Sequence, residues 1–141
     1  MVEQDFVIAT KDERQQYITC PEHDIPLTEL VPGSLSHIVT TKNMLVSFLT
    51  MKAGSVFNLH THPQEQFMIV IEGFCDEVIG DKIYRVEAGE VIHLPAGIPH
   101  GAFLRDIDCK AIDIFVPSRE DYVQSFRKQN PHASCFRKLC T

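Results

Sequence analysis

Two histidines two positions apart, in the stretch HTHPQEQ, are the first residues whose spacing suggests chemistry. In an extended chain His60 and His62 point to the same side, because successive side chains of a strand alternate. Gln66 begins the next predicted strand and can turn its amide oxygen to the same point, whereas Glu65 has the opposite parity and is expected to face away. His100, in GEVIHLPAGIPH, is a fourth candidate ligand.

Three neutral imidazoles and one amide oxygen form a ligand set that suits a divalent first-row metal ion. Zn, Ni, Mn, Co and Fe all fit such a set, and the residues do not choose among them. A neutral glutamine leaves the full charge on the ion and favours Lewis-acid chemistry over higher oxidation states. The alternative is a set of histidines that are satisfied by hydrogen bonds and bind no metal.

A second group with chemical potential lies in CKAIDIFVPSREDY. Asp113 and Phe115 share one face of a predicted strand, while isoleucine and valine side chains form the other face. A carboxylate within such a strand is costly unless it meets a metal, a base or a substrate. Arg119 follows at the end of the strand, where it can cover the mouth of a barrel. Either Asp113 and Arg119 act on a substrate, or they form a structural ion pair.

The elements that must position these residues are mostly strands. Nine short runs rich in Val, Ile, Phe and Tyr, separated by turn residues, indicate an all-β sandwich or barrel over residues 36–117. Residues 1–35 are rich in proline and are predicted to form an N-terminal arm. Residues 118–141 are predicted to contain a short amphipathic helix, SREDYVQSFRK, followed by a tail.

Composition limits the classes of partner. The chain has 141 residues, 44% of them apolar, and a net charge of -6, which argues against a general affinity for nucleic acid. No segment approaches membrane-spanning length, and the opening residues lack the pattern of a signal peptide, so we expect no membrane partner and a cytoplasmic location. The five scattered cysteines fit reduced thiols. Cys135 and Cys140 are either a redox pair or metal clip, or incidental tail thiols.

Two spaced motifs give the chain a family resemblance. The first cupin motif, G(X)5HXH(X)3,4E(X)6G, is similar to the stretch from Gly54 to Gly73, with Gln66 in the glutamate position. The second, G(X)5PXG(X)2H(X)3N, is similar to the stretch that begins at Gly89 and includes His100, with Leu104 in place of asparagine. The resemblance implies a cupin double-stranded β-helix, or jelly-roll barrel, that holds a divalent metal. The matched metal residues are His60, His62, Gln66 and His100.

The same residues resemble a narrower group, the KdgF-type cupins that linearise unsaturated uronates in pectin and alginate breakdown. That group has a D-x-F-x-x-x-R arrangement at its active site, which Asp113, Phe115 and Arg119 match. The resemblance implies an isomerase or lyase-like enzyme that opens the ring of an unsaturated sugar acid. Asp113 would move protons, Arg119 would pair with the substrate carboxylate, and Phe115 would form an apolar wall.

Two other functions and one assembly are also consistent with the sequence. A cupin dioxygenase would contain Fe and consume oxygen, and a non-catalytic sugar- or ligand-binding cupin would show no turnover. Cupins of this size often form homodimers, which would cover an open sheet edge, so a homodimer is predicted.

Overall fold

The computed structural model describes residues 1–133, and within them ten strands and three short α-helices follow a single 3-10 turn at Glu3–Asp5. The strands are β1 (Thr28–Val31), β2 (Ser34–Thr40), β3 (Leu45–Met51), β4 (Val56–His60), β5 (Glu65–Glu72), β6 (Phe74–Ile79), β7 (Lys82–Glu87), β8 (Val91–Leu94), β9 (His100–Phe103) and β10 (Cys109–Val116). The helices are α1 (Lys11–Arg14), α2 (Pro21–Asp24) and α3 (Glu120–Gln129).

The strands form two antiparallel sheets. One sheet has six strands in the order β1-β2-β3-β10-β5-β8, and the other has four in the order β4-β9-β6-β7. Their inner faces enclose the core, as in a jelly-roll barrel. The predicted all-β fold with a short C-terminal helix is confirmed.

Side-chain alternation decides what each sheet turns inward. In β10 the residues Ala111, Asp113 and Phe115 are buried, and the isoleucines between them are half-buried on the outer face. β10 lies between β3 and β5, so both of its edges are hydrogen-bonded and its inner face is central in the sheet. The strand therefore holds Asp113 deep inside the barrel.

The core has two parts. One cluster fills one end of the barrel and contains Leu49, Met51, Met68, Val70, Cys75, Val86, Ala102, Leu104, Cys109 and Ala111. The other lies under α3 and contains Ile25, Ile38, Leu45, Phe115, Val123 and Phe126. Because Val123 and Phe126 are three apart, they lie on one face of α3, and their burial fixes the helix against the six-stranded sheet.

The segment predicted as an arm contains more regular structure than its prolines indicate. β1 begins at Thr28 and pairs with β2, so the six-stranded sheet starts within residues 1–35. The side-chain amide of Gln129 in α3 accepts a hydrogen bond from the backbone N–H of Glu29 at 2.9 Å and donates one to its carbonyl at 2.7 Å. The helix thus satisfies backbone groups at the outer edge of β1 that would otherwise meet water.

The three cysteines within residues 1–133 are Cys20, Cys75 and Cys109, and all are free thiols. Cys135 and Cys140 lie outside the described residues, so their role stays a prediction. None of the helices between residues 1 and 133 is long and apolar enough to cross a membrane. The cytoplasmic location also stays a prediction.

Candidate metal centre

Two of the three motif histidines lie opposite each other in the four-stranded sheet. His60 ends β4 and His100 begins β9, and they are register partners. Between Phe57 and His60 the register shifts, which marks a bulge in β4. Phe57 packs against the core, and the extra residue lets His60 share its inward face although the two are three positions apart.

A glycine in β9 makes room for this bulge. A Cβ at Gly101 would lie 2.6 Å from the carbonyl oxygen of Phe57 and 3.2 Å from the backbone of Asn58. Real Cβ atoms do not approach backbone so closely, so a larger residue would push β4 away. Gly101 therefore helps to hold His60 beside His100.

The three imidazoles share one hydrogen-bond pattern. Each Nδ1 lies within hydrogen-bond distance of a backbone carbonyl two residues away: His60 to Asn58 at 2.7 Å, His62 to Gln64 at 3.0 Å, and His100 to Ile98 at 2.9 Å. A neutral imidazole that donates from Nδ1 has its lone pair on Nε2. The histidine ligand atoms lie within 4.8 Å of one another, so three lone pairs converge on a space of the size that a metal ion requires.

Burial favours the neutral form of two of the imidazoles, His62 and His100. It lowers the pKa of His100 to about 4. It also lowers the pKa of His62, and the positive charge of Arg119 acts in the same direction. Both rings therefore carry a free lone pair at neutral pH, which metal binding requires.

Gln66, the fourth candidate ligand, lies beside the three histidines. Its Oε1 lies 3.1 Å from Nε2 of His62, and its Nε2 donates a hydrogen bond to Oδ1 of Asp113 at 2.9 Å. When the proton of His62 is on Nδ1, Nε2 of His62 and Oε1 of Gln66 are both acceptors, and no hydrogen lies between these two atoms. Two acceptors at this distance are the arrangement of two ligands of one cation, so the residues present fit a divalent metal.

Asp113 is a carboxyl held close to this centre. It is 8% exposed, and burial raises its pKa to about 7, although the hydrogen bond from Gln66 and the charge of Arg119 both lower it. A carboxyl with this pKa can both accept and release a proton near neutral pH. The structure therefore connects a candidate metal ligand directly to a candidate acid-base group.

Arg119 does not pair with Asp113. Its Nη2 donates to Oδ2 of Asp121 at 2.6 Å and its Nε to Oδ1 at 3.2 Å. Its guanidinium carbon lies 3.6 Å from the ring centre of Tyr122 and 5.0 Å from that of Phe115. The structural Asp113–Arg119 ion pair considered from the sequence is thus replaced by a pair with Asp121 at the start of α3 and by contact with two aromatic rings.

The site opens into a cavity of about 490 Å³. The candidate residues that line it are His60, Gln66, His100, Asp113, Phe115 and Arg119. The ring of Phe115 is buried and makes an edge contact with His62 at 5.5 Å between centres. Metal ligands, an acid, an arginine and an aromatic wall thus meet in one cavity of the size that holds a small molecule.

Glu65 and His93 lie on the outer face of the six-stranded sheet. Oε2 of Glu65 is 3.0 Å from Nε2 of His93, and both side chains are exposed. Glu65 has the opposite parity to Gln66 along β5, which explains this position. The only carboxylate within HTHPQEQ is therefore directed away from the candidate metal site.

Two titratable residues that line the cavity, Glu77 and Tyr122, were not among the site residues predicted from the sequence. Glu77 lies in β6, whose sequence FCDEVI does not alternate between apolar and polar residues, so its inner face could not be assigned. Tyr122 was assigned only to a helix face. It is partly buried, and burial raises the pKa of its hydroxyl to about 12, so the hydroxyl remains neutral beneath Arg119.

Comparison with known proteins agrees with this geometry. Residues 47–115 match the Cupin domain family. This chain contains a cupin domain. The match begins in β3 and ends in β10, so it contains every residue of the three-histidine cluster.

Solved structures and one curated protein are similar to this cupin. KdgF from Halomonas sp. is 25% identical, with a TM-score of 0.64 over 70% of this chain and 92% of that chain. An RmlC-like cupin from Shewanella frigidimarina is 21% identical, with a TM-score of 0.68 over 75% of this chain and 95% of that chain, and shows the shared fold. An uncharacterized protein of Streptomyces coelicolor is 25% identical over 85 residues, which are 60% of this chain and 81% of the relative.

Proposed function

We propose that this cupin is a metal-dependent enzyme that opens the ring of an unsaturated uronate to its linear keto form. The observation that carries the proposal is the hydrogen bond between Gln66 and Asp113, which places an acid-base group beside the candidate metal ligands in one cavity. The similarity to KdgF and the match of Asp113, Phe115 and Arg119 to the KdgF-type arrangement support it.

His60, His62, Gln66 and His100 would hold the metal. When bound, a divalent ion in this neutral ligand set supplies Lewis-acid polarisation of an oxygen atom. Zn, Ni, Mn, Co and Fe remain the candidates, since each binds imidazole and amide oxygen.

Arg119 would bind the substrate carboxylate. A guanidinium can donate two parallel hydrogen bonds to a carboxylate, and the rings of Phe115 and Tyr122 hold this one in place from below. Asp121 occupies Nε and Nη2, so the substrate would share the guanidinium with it or displace it. A small carboxylated molecule is therefore the partner that we propose.

Asp113 would carry the proton. Opening a 4,5-unsaturated hexuronate ring removes the proton of the anomeric hydroxyl, breaks the bond between C1 and the ring oxygen, and adds a proton at C4 as the C5 ketone forms. Nothing is gained or lost overall, so one group that accepts and then returns a proton is enough. With a pKa of about 7, Asp113 can do both.

The test is Asp113→Asn assayed on unsaturated galacturonate by loss of the ultraviolet absorbance of its conjugated double bond. Asparagine can still accept the hydrogen bond from Gln66 but cannot carry a proton, so kcat should fall about 100- to 10,000-fold. Metal content of the two proteins, measured in parallel, should be equal and serves as the control. Equal turnover by the variant would contradict the role of Asp113.

The remaining two functions are outcomes of the same assay. Oxygen consumption with a substrate, together with Fe in the purified protein, would indicate a dioxygenase. Binding of uronates without turnover by the wild type would indicate a ligand-binding cupin.

We also propose a homodimer formed through the outer face of the six-stranded sheet. Phe67 and Ile71 of β5, Val91 of β8 and Val116 of β10 are large apolar side chains exposed on neighbouring strands. Contiguous apolar surface of this kind marks an interaction site, and one face meeting its own copy closes a two-fold dimer.

Light scattering on Phe67→Glu tests this assembly, with Ile83→Glu as the matched control. Ile83 is equally apolar and exposed but belongs to β7 in the other sheet. Wild type and Ile83→Glu should have the mass of a dimer and Phe67→Glu that of a monomer. A monomeric wild type at high concentration would overturn the proposal.

A further inference from the structure

Glu77 is an acid in the cavity to which the proposed reaction assigns no task. It lies in β6, is only 5% exposed and contributes to the cavity lining. Its register partner in β9 is Ala102, whereas Ile79 pairs with His100. Because residues two apart share a face, the carboxyl of Glu77 lies one inward-facing position beyond the metal-site histidine.

Asp113 occupies the corresponding level of the opposite sheet. Phe115 pairs with Gln66, and Asp113 pairs with Met68, so Asp113 also lies one inward-facing position beyond a candidate metal ligand. Both acids line the cavity, and burial, followed by the charge of Asp113, raises the pKa of Glu77 to about 8. The two acids thus face the same cavity from different sheets.

The carboxyl of Glu77 is only half satisfied. Oε1 accepts a weak hydrogen bond from Sγ of Cys75 at 3.7 Å. Oε2 is buried and has no hydrogen-bond partner among residues 1–133. Met51 and Met68 line the same cavity and belong to the hydrophobic core cluster. A buried polar atom without a partner is unfavourable, and native proteins rarely retain one unless something else binds it.

We propose that Glu77 is a ligand-contacting residue whose Oε2 forms a hydrogen bond with a ring hydroxyl of the bound sugar acid. The inference rests on the proposed function, which supplies the class of ligand. A hydroxyl can donate to a carboxylate and can accept from a carboxylic acid, so it matches Glu77 in either protonation state. The metal ligands and Arg119 would hold one side of the ligand, and Glu77 would select for a hydroxyl on the side that reaches deeper.

A saturated uronate lacks the double bond that the proposed reaction requires, so its binding reports on the Glu77 contact without turnover. Isothermal titration of D-galacturonate, and of its 2-deoxy and 3-deoxy analogues, is carried out on the metal-loaded full-length protein. Glu77→Met removes the oxygens with little change in volume, and Glu77→Gln keeps a polar group of the same size. For Glu77→Met we expect galacturonate to bind about 3- to 10-fold more weakly, and for Glu77→Gln we expect a change of less than about 3-fold.

The deoxy analogues distinguish contact from a structural effect. One of them should bind the wild type more weakly than galacturonate does, and Glu77→Met should remove that difference, since the lost hydroxyl then has no partner. Equal galacturonate affinity in wild type and Glu77→Met would overturn the assignment and leave the carboxyl bound by water alone. Absence of any uronate binding by the wild type would instead overturn the proposed function, and this assignment with it.

Discussion

Asp76 and Glu77 are consecutive residues of β6 whose carboxyls lie on opposite faces of the sheet and have pKa values shifted in opposite directions. On the outer face, Asp76 accepts hydrogen bonds from Nε of Arg85 and Nε of Arg105, both at 2.8 Å, and the bond from Arg85 contributes most to lowering its pKa to about 2. On the inner face, burial raises the pKa of Glu77 to about 8. Neither side chain is more than 5% exposed.

Burial alone therefore does not identify a functional acid. Asp76 has two basic partners that offset its desolvation, so its role within the fold is already explained. Glu77 has a thiol as one partner, and its Oε2 has none within the part of the chain that the structure describes, so the fold does not explain this acid. Asp113, whose hydrogen-bond partner is a candidate metal ligand, belongs with Glu77. Buried acids without a basic partner are the better guide to the site.

The largest effect that we expect from this contrast concerns Glu77 and alkaline pH. Its folded pKa of about 8 lies above the ordinary 4.5, so the folded protein binds the extra proton between these values and stability falls as pH rises through the interval. Glu77→Gln has no such proton. At about pH 9 the variant should be more stable than wild type by on the order of 3 kcal/mol, and at about pH 4 nearly equal to it.

Urea unfolding of both proteins across this pH range measures the effect. Asp76→Asn is the matched control, since it neutralises the adjacent acid on the outer face and should leave the alkaline slope unchanged. Parallel stability curves for wild type and Glu77→Gln would show that the carboxyl of Glu77 is ionised in the folded protein at neutral pH.

A smaller effect of the opposite sign is expected for Asp76 itself. Its folded pKa of about 2 lies below the ordinary 3.8, so its stabilisation is present above about pH 4 and is lost as pH falls towards 2. Arg85 and Arg105 are about half exposed, which weakens the pairs through solvent screening. Asp76→Asn should therefore lose about 1–2 kcal/mol of stability at neutral pH.

Thermal unfolding at neutral and at acid pH tests this expectation. The variant should unfold at a lower temperature than wild type at neutral pH, and the two should converge near pH 2. If the gap persisted in acid, the loss would come from packing of the side chain and not from its charge.

Much of the site was predictable because it depends on spacing within strands. The two-residue interval of His60 and His62, the opposite parity of Glu65 and the alternation around Asp113 all follow from the period of a strand. Two spaced motifs then predicted that distant histidines meet. Each of these inferences needs only local geometry and the order of the strands.

What the sequence did not show depends on irregular or tertiary features. The bulge in β4 decides which face His60 occupies, and no residue type in VFNLH marks it. The partner of Arg119 depends on where α3 begins, since Asp121 is two residues further along the chain. Glu77 was missed because FCDEVI carries acids at both parities, and only the pairing with β9 shows which acid is inside.

The smallest predicted effect concerns an acid at the boundary between the two environments. Asp121 is far more exposed than Asp76 or Glu77, with 61% of its side chain accessible, and it pairs with the buried guanidinium of Arg119. Burial opposes its ionisation, but the hydrogen bond and charge of Arg119 outweigh this and hold the pKa of Asp121 below its usual range.

Asp121→Asn removes the carboxylate with which the proposed sugar acid would compete for Arg119. Because the carboxylate of Asp121 is largely exposed to solvent, its loss should change stability by less than about 1 kcal/mol, whereas the affinity for D-galacturonate should rise about 2- to 5-fold. Titration calorimetry at low and at high salt measures the affinity of both proteins. The gain in affinity should be smaller at high salt, because the charge of Asp121 is exposed and is screened. Weaker binding by the variant would mean that Asp121 holds the guanidinium of Arg119 in its binding position. Asp121 would then be a positioning residue and not a competitor of the ligand.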